Sequence, residues 1–249
     1  MIDRTKEFLF ELFKNIPRQG PGSEKSTLQA LARIKLPTRP HILDVGCGTG
    51  NQTLLLAKNL HATITAVDIH QPFLDILFHL AYHLKPPGRI RTINQSMDAM
   101  KFPANHFDLI WSEGAIYIMG FENGLNVWKR FLKPGGYMAV SEISWFKKSL
   151  PAQVKEFWKS EYPLMKSVQE NLKIIEQLNF LLIDHFPLPD SDWWDEFYEP
   201  LQERIEVYKK KYKHDLEIIS VLYQTAREID IHKYHSDYYG YEFYIMQNP

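Results

Sequence analysis

Apolar residues recur along this chain in two alternating rhythms. Phe8, Leu9, Leu12, Phe13 and Ile16 fall at helical spacing and predict an amphipathic helix that stops before Pro17. The stretch 18–23, Arg-Gln-Gly-Pro-Gly-Ser, then reads as a shaped loop, with glycines relaxing the backbone and a proline fixing φ. From His41 the pattern becomes regular. Short apolar runs predict strands over 41–45, 62–67, 90–94, 107–111 and 136–141. Between them, stripes of period near 3.6 predict helices, including one that carries Phe73, Ile76, Leu77, Leu80 and Leu84 and ends before Pro86-Pro87-Gly88.

Strand–helix alternation requires crossover connections, and these bury a mainly parallel sheet under helices on both faces, so the expected fold is α/β. Further along, Val168, Leu172, Ile175 and Leu178 mark another helix, and residues 180–186 a sixth strand. Two long amphipathic helices follow. Trp194, Phe197, Tyr198, Leu201, Ile205 and Tyr208 stripe the first; Leu216, Ile219, Leu222, Ala226 and Ile229 stripe the second. A last strand is expected over 241–246. The helical pair, about residues 190–236, is too small to own a core and is expected to cover the carboxyl edge of the sheet. The whole of 1–249 therefore reads as one domain, with an N-terminal helix and loop over 5–23.

Charge and cysteine content narrow the classes. Lys plus Arg number 29 against 30 for Asp plus Glu, so no net field draws the molecule toward nucleic acid or an anionic membrane. Cys47 is the only cysteine, which excludes an intrachain disulfide and any multi-thiolate site. The opening residues Met1 to Glu7 lack the basic start and apolar core of a signal peptide, and no run is long enough to span a bilayer, so a cytoplasmic protein is expected. His185, His214, His232 and His235 are spread over separate elements without a compact ligand set, and no metal is expected.

The sharpest chemical signal is Asp44-Val45-Gly46-Cys47-Gly48-Thr49-Gly50, placed after a predicted strand and before a helix. A Cβ there would obstruct both the tight turn and the approach of a ligand to backbone N–H groups. Asp68 ends the second strand, where a carboxylate can accept from both hydroxyls of a ribose. After the third strand, Met97 can cover an adenine face and Asp98 can accept from its exocyclic amine. Either alone also reads as a packing methionine or a capping aspartate. Successive strand ends nevertheless converge on one crevice.

Residues 42–50 resemble the first motif of class I S-adenosylmethionine-dependent methyltransferases. Asp68, Met97-Asp98, the run 107–115 and the turn 132–136 resemble the later motifs, so the likeness is strong over about 38–145. The chain is especially similar to small-molecule methyltransferases of the methyltransferase-11 and ubiquinone-biosynthesis type. The resemblance implies a Rossmann-like sheet of seven strands with the last antiparallel, and S-adenosylmethionine as cofactor. It implies contacts to that cofactor from Arg18, Gly20, Asp44, Gly46, Gly48, Asp68, Met97, Asp98 and Glu113, with Gln19 beside them. The reaction it implies is methyl transfer to an unidentified small molecule.

Two other readings compete. A dinucleotide-dependent oxidoreductase would space its glycines as G-x-G-x-x-G, but Asn51 stands where the third would fall, and Asp44 suits a cationic sulfonium better than a pyrophosphate. A binding protein that holds S-adenosylmethionine without catalysis is the other. For the acceptor side, Glu113 is expected to order the acceptor or take its proton, with Tyr117 and Trp145 lining the pocket. Glu142 lies equivalently after the fifth strand. Trp194 and Tyr198 are the pocket candidates among the inserted aromatics, which otherwise serve packing. The expected partner is the small-molecule acceptor, without nucleic acid or stable membrane association; a homodimer is compatible with the sequence but has no interface motif behind it.

Overall fold

A computed structural model describes residues 4–249; Met1, Ile2 and Asp3, the first part of the opening stretch read above, lie outside the described residues. Seven strands form the body of one sheet: β1 (His41–Val45), β2 (Thr63–Asp68), β3 (Arg89–Asn94), β4 (Phe107–Ser112), β5 (Leu132–Trp145), β7 (Leu181–Pro187) and β8 (Tyr239–Gln247). A two-residue strand β6 (Lys166–Ser167) joins the end of β5 as an eighth. The order is β3-β2-β1-β4-β5-β8-β7. Strands β1 to β5 pair in parallel, and β8 runs antiparallel between β5 and β7.

The pleat explains why both faces are apolar. On β4, Leu109 and Trp111 join one core cluster while Ile110 joins another, and β8 divides in the same way, with Tyr241, Phe243 and Ile245 against Tyr244 and Met246. The second cluster is closed by α5 (Phe121–Lys129) and α7 (Val168–Gln177), through Leu125, Trp128, Ile174 and Ile175. On the opposite face lie α2 (Glu24–Leu31), α3 (Asn51–Asn59) and α6 (Ala152–Glu161), while α4 (Gln71–Leu84) packs beside β2 and β3. Helices α2 and α6 were not read from the sequence. Strand β5 also begins earlier than expected, because the 133–135 turn is folded into its irregular start, where Gly135 N–H donates to Asn248 O at 2.7 Å.

Between β7 and β8 the chain makes α8 (Ser191–Trp193), a π-helical turn Trp194–Tyr198, α9 (Glu199–Lys211) and α10 (Leu216–His235). The expected helical pair is therefore present. It packs on α1 (Arg4–Phe13), with the Phe8 ring edge-on to Tyr208 and Tyr212 at 5.6 and 5.4 Å. Trp193, Phe197 and Tyr198 enter the same buried cluster as Trp111, Tyr241 and Phe243, so most of the inserted aromatics serve packing. His232 stacks on Trp193 at 4.0 Å and bonds Asp190, and His185 bonds Glu242; no group of three or more candidate ligands holds a metal geometry among the described residues. No helix among them is long and apolar enough to cross a membrane.

From β1 the chain winds outward to β2 and β3, then returns to the other side of β1 for β4 and β5. The reversal lies between β1 and β4, and it opens a crevice at their carboxyl ends. Gly50 seats α3 over that crevice with φ 91°, and a Cβ on it would stand 2.2 Å from Leu77 Cδ1. Gly50→Ala combines a left-handed backbone with overpacking, and is expected to cost about 2–4 kcal/mol in urea unfolding. An unchanged midpoint would show that the α3–α4 packing is looser than described.

Candidate functional site

The carboxyl ends of β1, β2 and β4 open onto a cavity of about 440 Å³, within the range of small-molecule sites. Its floor is the turn after β1. Gly46 has φ 70°, and a Cβ there would stand 2.5 Å from the Ala115 Cβ, so the backbone runs against the β4 loop with no room for a side chain. Gly46 and Cys47 N–H both donate to Val67 O, which ties the turn to the end of β2.

Asp68 stands beside the turn. Its Oδ2 accepts from Gly48 N–H at 2.9 Å and its Oδ1 from His70 N–H at 2.8 Å, so the carboxylate is locked at the cavity wall with lone pairs to spare. Burial raises its pKa, against the lowering effect of those two bonds. Asp44 does not line the cavity. It is buried against the first turn of α3, where Thr53 Oγ1 donates at 2.5 Å and Gln52 Nε2 at 3.4 Å, and burial pushes its pKa up to about 7.

The N-terminal segment closes the cavity from above. Gln19 Oε1 accepts from both Thr49 N–H (3.1 Å) and Thr49 Oγ1 (2.9 Å), and Asn51 Nδ2 donates to Pro17 O. Arg18 donates to Glu113 Oε2 from Nη1 and to Glu196 Oε2 from Nε, both at 3.0 Å. The Arg18 and Glu113 side chains are only 7% and 6% exposed, so this ion pair is held in a poorly solvated place. Glu113 Oε1 is also taken, by Thr27 Oγ1 at 2.7 Å and Trp111 Nε1 at 2.9 Å. Gly22 N–H and Ser26 Oγ donate to Asp192, which fastens the same loop to the start of the insertion.

Of the residues singled out in sequence, Arg18, Gln19, Gly20, Gly46, Gly48, Asp68, Met97, Glu113 and Tyr117 line the one cavity. Asp98 is exposed and off its wall, and Trp145 packs on Tyr239 at 6.2 Å, away from it. Trp194 and Tyr198 also sit outside the lining. Sequence reading missed the contribution of α1: Lys6, Leu9, Phe10 and Phe13 line the cavity, and Phe10 stacks on His70 at 4.0 Å. The signal was available, because apolar residues occupy two sides of α1, with Phe8 and Leu12 turned to the helices and Leu9 and Phe10 left for another surface.

Comparison with known proteins agrees with this geometry. The profile of a family described as a methyltransferase domain matches residues 42–136. The chain is 25% identical over 197 residues to a phosphoethanolamine N-methyltransferase of Plasmodium falciparum, covering 77% of this chain and 71% of that protein. It is 26% identical over 234 residues to a sterol 24-C-methyltransferase of Neurospora crassa, covering 85% of this chain but 59% of the relative. In fold it is similar to a methyltransferase of Geobacter sulfurreducens solved with S-adenosyl-L-homocysteine, with a TM-score of 0.82 at 18% identity over 100% of this chain and 99% of that one.

Buried carboxylates give the site a pH signature. A carboxyl whose folded pKa is raised binds more protons folded than unfolded, so its penalty is absent below the unfolded pKa near 4 and complete above the folded value. Asp44 thus contributes a fall in stability between about pH 4 and pH 7, with a steepest slope on the order of 1 kcal/mol per pH unit. Asp44→Asn should flatten that fall in urea midpoints taken from pH 5 to pH 8. An equal slope in both proteins would mean that Asp44 is ionised throughout.

Proposed function

We propose that this chain, which belongs to the class I S-adenosylmethionine-dependent methyltransferases, transfers a methyl group from S-adenosylmethionine to a small-molecule acceptor. One observation carries the reading: a side-chain-free turn at Gly46 to Gly48 and the Asp68 carboxylate it grips meet in a single cavity of ligand size. The residues fit that cofactor. Gly46, Gly48, Asp68 and Met97 would hold the nucleoside half, with Asp68 toward the ribose; Arg18, Gln19, Gly20 and Glu113 would hold the amino-acid half. When bound, S-adenosylmethionine supplies a methyl group activated on a cationic sulfur. Asp68, a carboxylate on the wall that forms no ion pair with a Lys or Arg among the described residues, suits a positive guest better than a pyrophosphate.

The protein's own contribution is to orient the reactants and exclude water, which can account for much of the rate of such a transfer. Glu113 has both oxygens engaged by Arg18, Thr27 and Trp111, so we assign it to holding Arg18 and the loop in place rather than to removing a proton. Tyr117 keeps 39% of its surface open and forms the wall on the acceptor side. Burial raises its hydroxyl pKa to about 12, so at neutral pH it acts as a hydrogen-bonding neutral phenol. Helices α8 to α10, tied to the N-terminal loop, act in this reading as the cover of the site.

Asp68→Asn keeps the shape but removes the charge that would accept from a ribose. By titration calorimetry it should weaken S-adenosylhomocysteine binding by about 10-fold or more. Wild-type protein incubated with methyl-labelled S-adenosylmethionine and a cell metabolite extract should yield a labelled small molecule by mass spectrometry. Undiminished binding in the variant would remove the ribose assignment, and binding without any labelled product would leave a protein that only holds the nucleoside.

A further inference from the structure

Behind Gly114 and Tyr117, just outside the cavity lining, hydroxyls and carboxylates gather, and two of the carboxylates have no cationic partner among the described residues. A Cβ on Gly114 would come within 3.9 Å of the Tyr241 hydroxyl, which has no hydrogen-bond partner among the described residues. Tyr117, on the cavity wall, meets Tyr162 edge-on at 5.8 Å, and the Tyr162 hydroxyl donates to Glu142 Oε1 at 2.7 Å. Glu142 is 1% exposed, and its Oε2 is buried with no partner at all. Its cross-strand neighbour is another carboxylate, Glu242, whose own partner is His185 at 2.5 Å. From α10, the half-buried Glu228 reaches the same place and accepts from the Tyr198 hydroxyl at 2.9 Å. The Trp193 ring meets both Tyr198 and Tyr241, at 5.5 and 5.3 Å, which links Glu228 to the Tyr241 side, and Glu142 and Glu228 both act electrostatically on the hydroxyls of Tyr117 and Tyr241.

Two carboxylates taken out of water without a counter-ion are costly, by several kcal/mol each in the ionised form. No Lys, Arg or His within the described residues pairs with Glu142 or Glu228. Burial raises Glu142 to about 8 and Glu228 to about 7, which places both near the point of gaining or losing a proton at neutral pH. A guest cation would relieve the burial cost, and the faces of the surrounding tyrosines would add to its hold.

We propose that the methyl acceptor is an amine, bound here as its ammonium form, with Glu142 and Glu228 as its counter-charges and the rings of Tyr117 and Tyr241 beside it. The inference rests on the methyltransferase reading and names the substrate class for it. The ammonium passes one proton to a carboxylate and so frees the nitrogen lone pair. The nitrogen then forms the new bond to the methyl carbon while the methyl–sulfur bond breaks, its electron pair stays on sulfur, and the positive charge passes to nitrogen. The proton on the carboxyl group leaves to solvent. A carboxyl group that titrates near neutrality is matched to that exchange.

The test uses two pairs of probes that share a shape and differ in charge: choline against 3,3-dimethylbutan-1-ol, and 2-phenylethylamine against 2-phenylethanol. Binding is followed by calorimetry on the full chain, with and without saturating S-adenosylhomocysteine. In at least one pair the ammonium should bind at least 10-fold tighter than its neutral counterpart. Glu228→Gln and Glu142→Gln should each cut the ammonium affinity at least 5-fold while leaving that for S-adenosylhomocysteine intact, which also reports that the variants are folded. Equal binding within both pairs, no binding of either ammonium, or an unchanged preference in both folded variants would overturn the proposal. Failure of S-adenosylhomocysteine to bind would count against the methyltransferase reading alone, because the probe series is also read without it.

Discussion

Backbone N–H groups at the end of a buried strand must find acceptors, and in this protein the way they do so dictates the site. Gly46 and Cys47 give theirs to Val67 O and Gly48 gives its own to Asp68, so the turn after β1 is bonded to the end of β2. This one arrangement fixes the distance between β1 and β2 at the crevice, aims Asp68 along its wall, and seats α3 through Gly50. The rest of the cavity is built onto it: the β4 loop packs on Gly46 through Ala115, and the N-terminal loop rests on Thr49 through Gln19.

Around that frame the protein accepts an electrostatic burden. Asp44, Glu142 and Glu228 are carboxyl groups that burial pushes toward neutrality, and only hydrogen bonds from Thr53, Gln52, Tyr162 and Tyr198 offset the cost. Core packing alone would favour apolar residues at such positions. The two-sided apolar sheet, with Trp111, Phe243 and Ile143 on one face and Ile110, Tyr244 and Met138 on the other, supplies the stability that lets these groups remain.

Features encoded over short distances were legible in the sequence. The mainly parallel sheet follows from five strand–helix alternations, and the glycine turn with Asp68 was readable because each sits at a strand end, whose location the apolar runs reveal. Asp98 and Trp145 were misleading for the same reason: position after a strand says where the backbone is, not which way the side chain leaves it. Helix α6 could have been found from Val154, Phe157 and Trp158 at helical spacing, whereas α2 buries only Ser26, Thr27 and Ala30 and carries almost no apolar stripe. The contacts of Arg18 were out of reach. Its two carboxylates lie 95 and 178 residues away, and no local pattern reports a pairing across such separations.

Arg18 ties three parts of the molecule with one guanidinium: its own loop, the end of β4 through Glu113, and the insertion through Glu196. Energies assigned residue by residue lose their meaning across such a junction, because removing either carboxylate changes what the other is worth. The covering segments behave thermodynamically as a single latch, and a change felt at the end of β4 reaches the inserted helices through the Arg18 side chain as well as through the backbone bonds of Arg18 and Gly22 to Glu196 and Asp192.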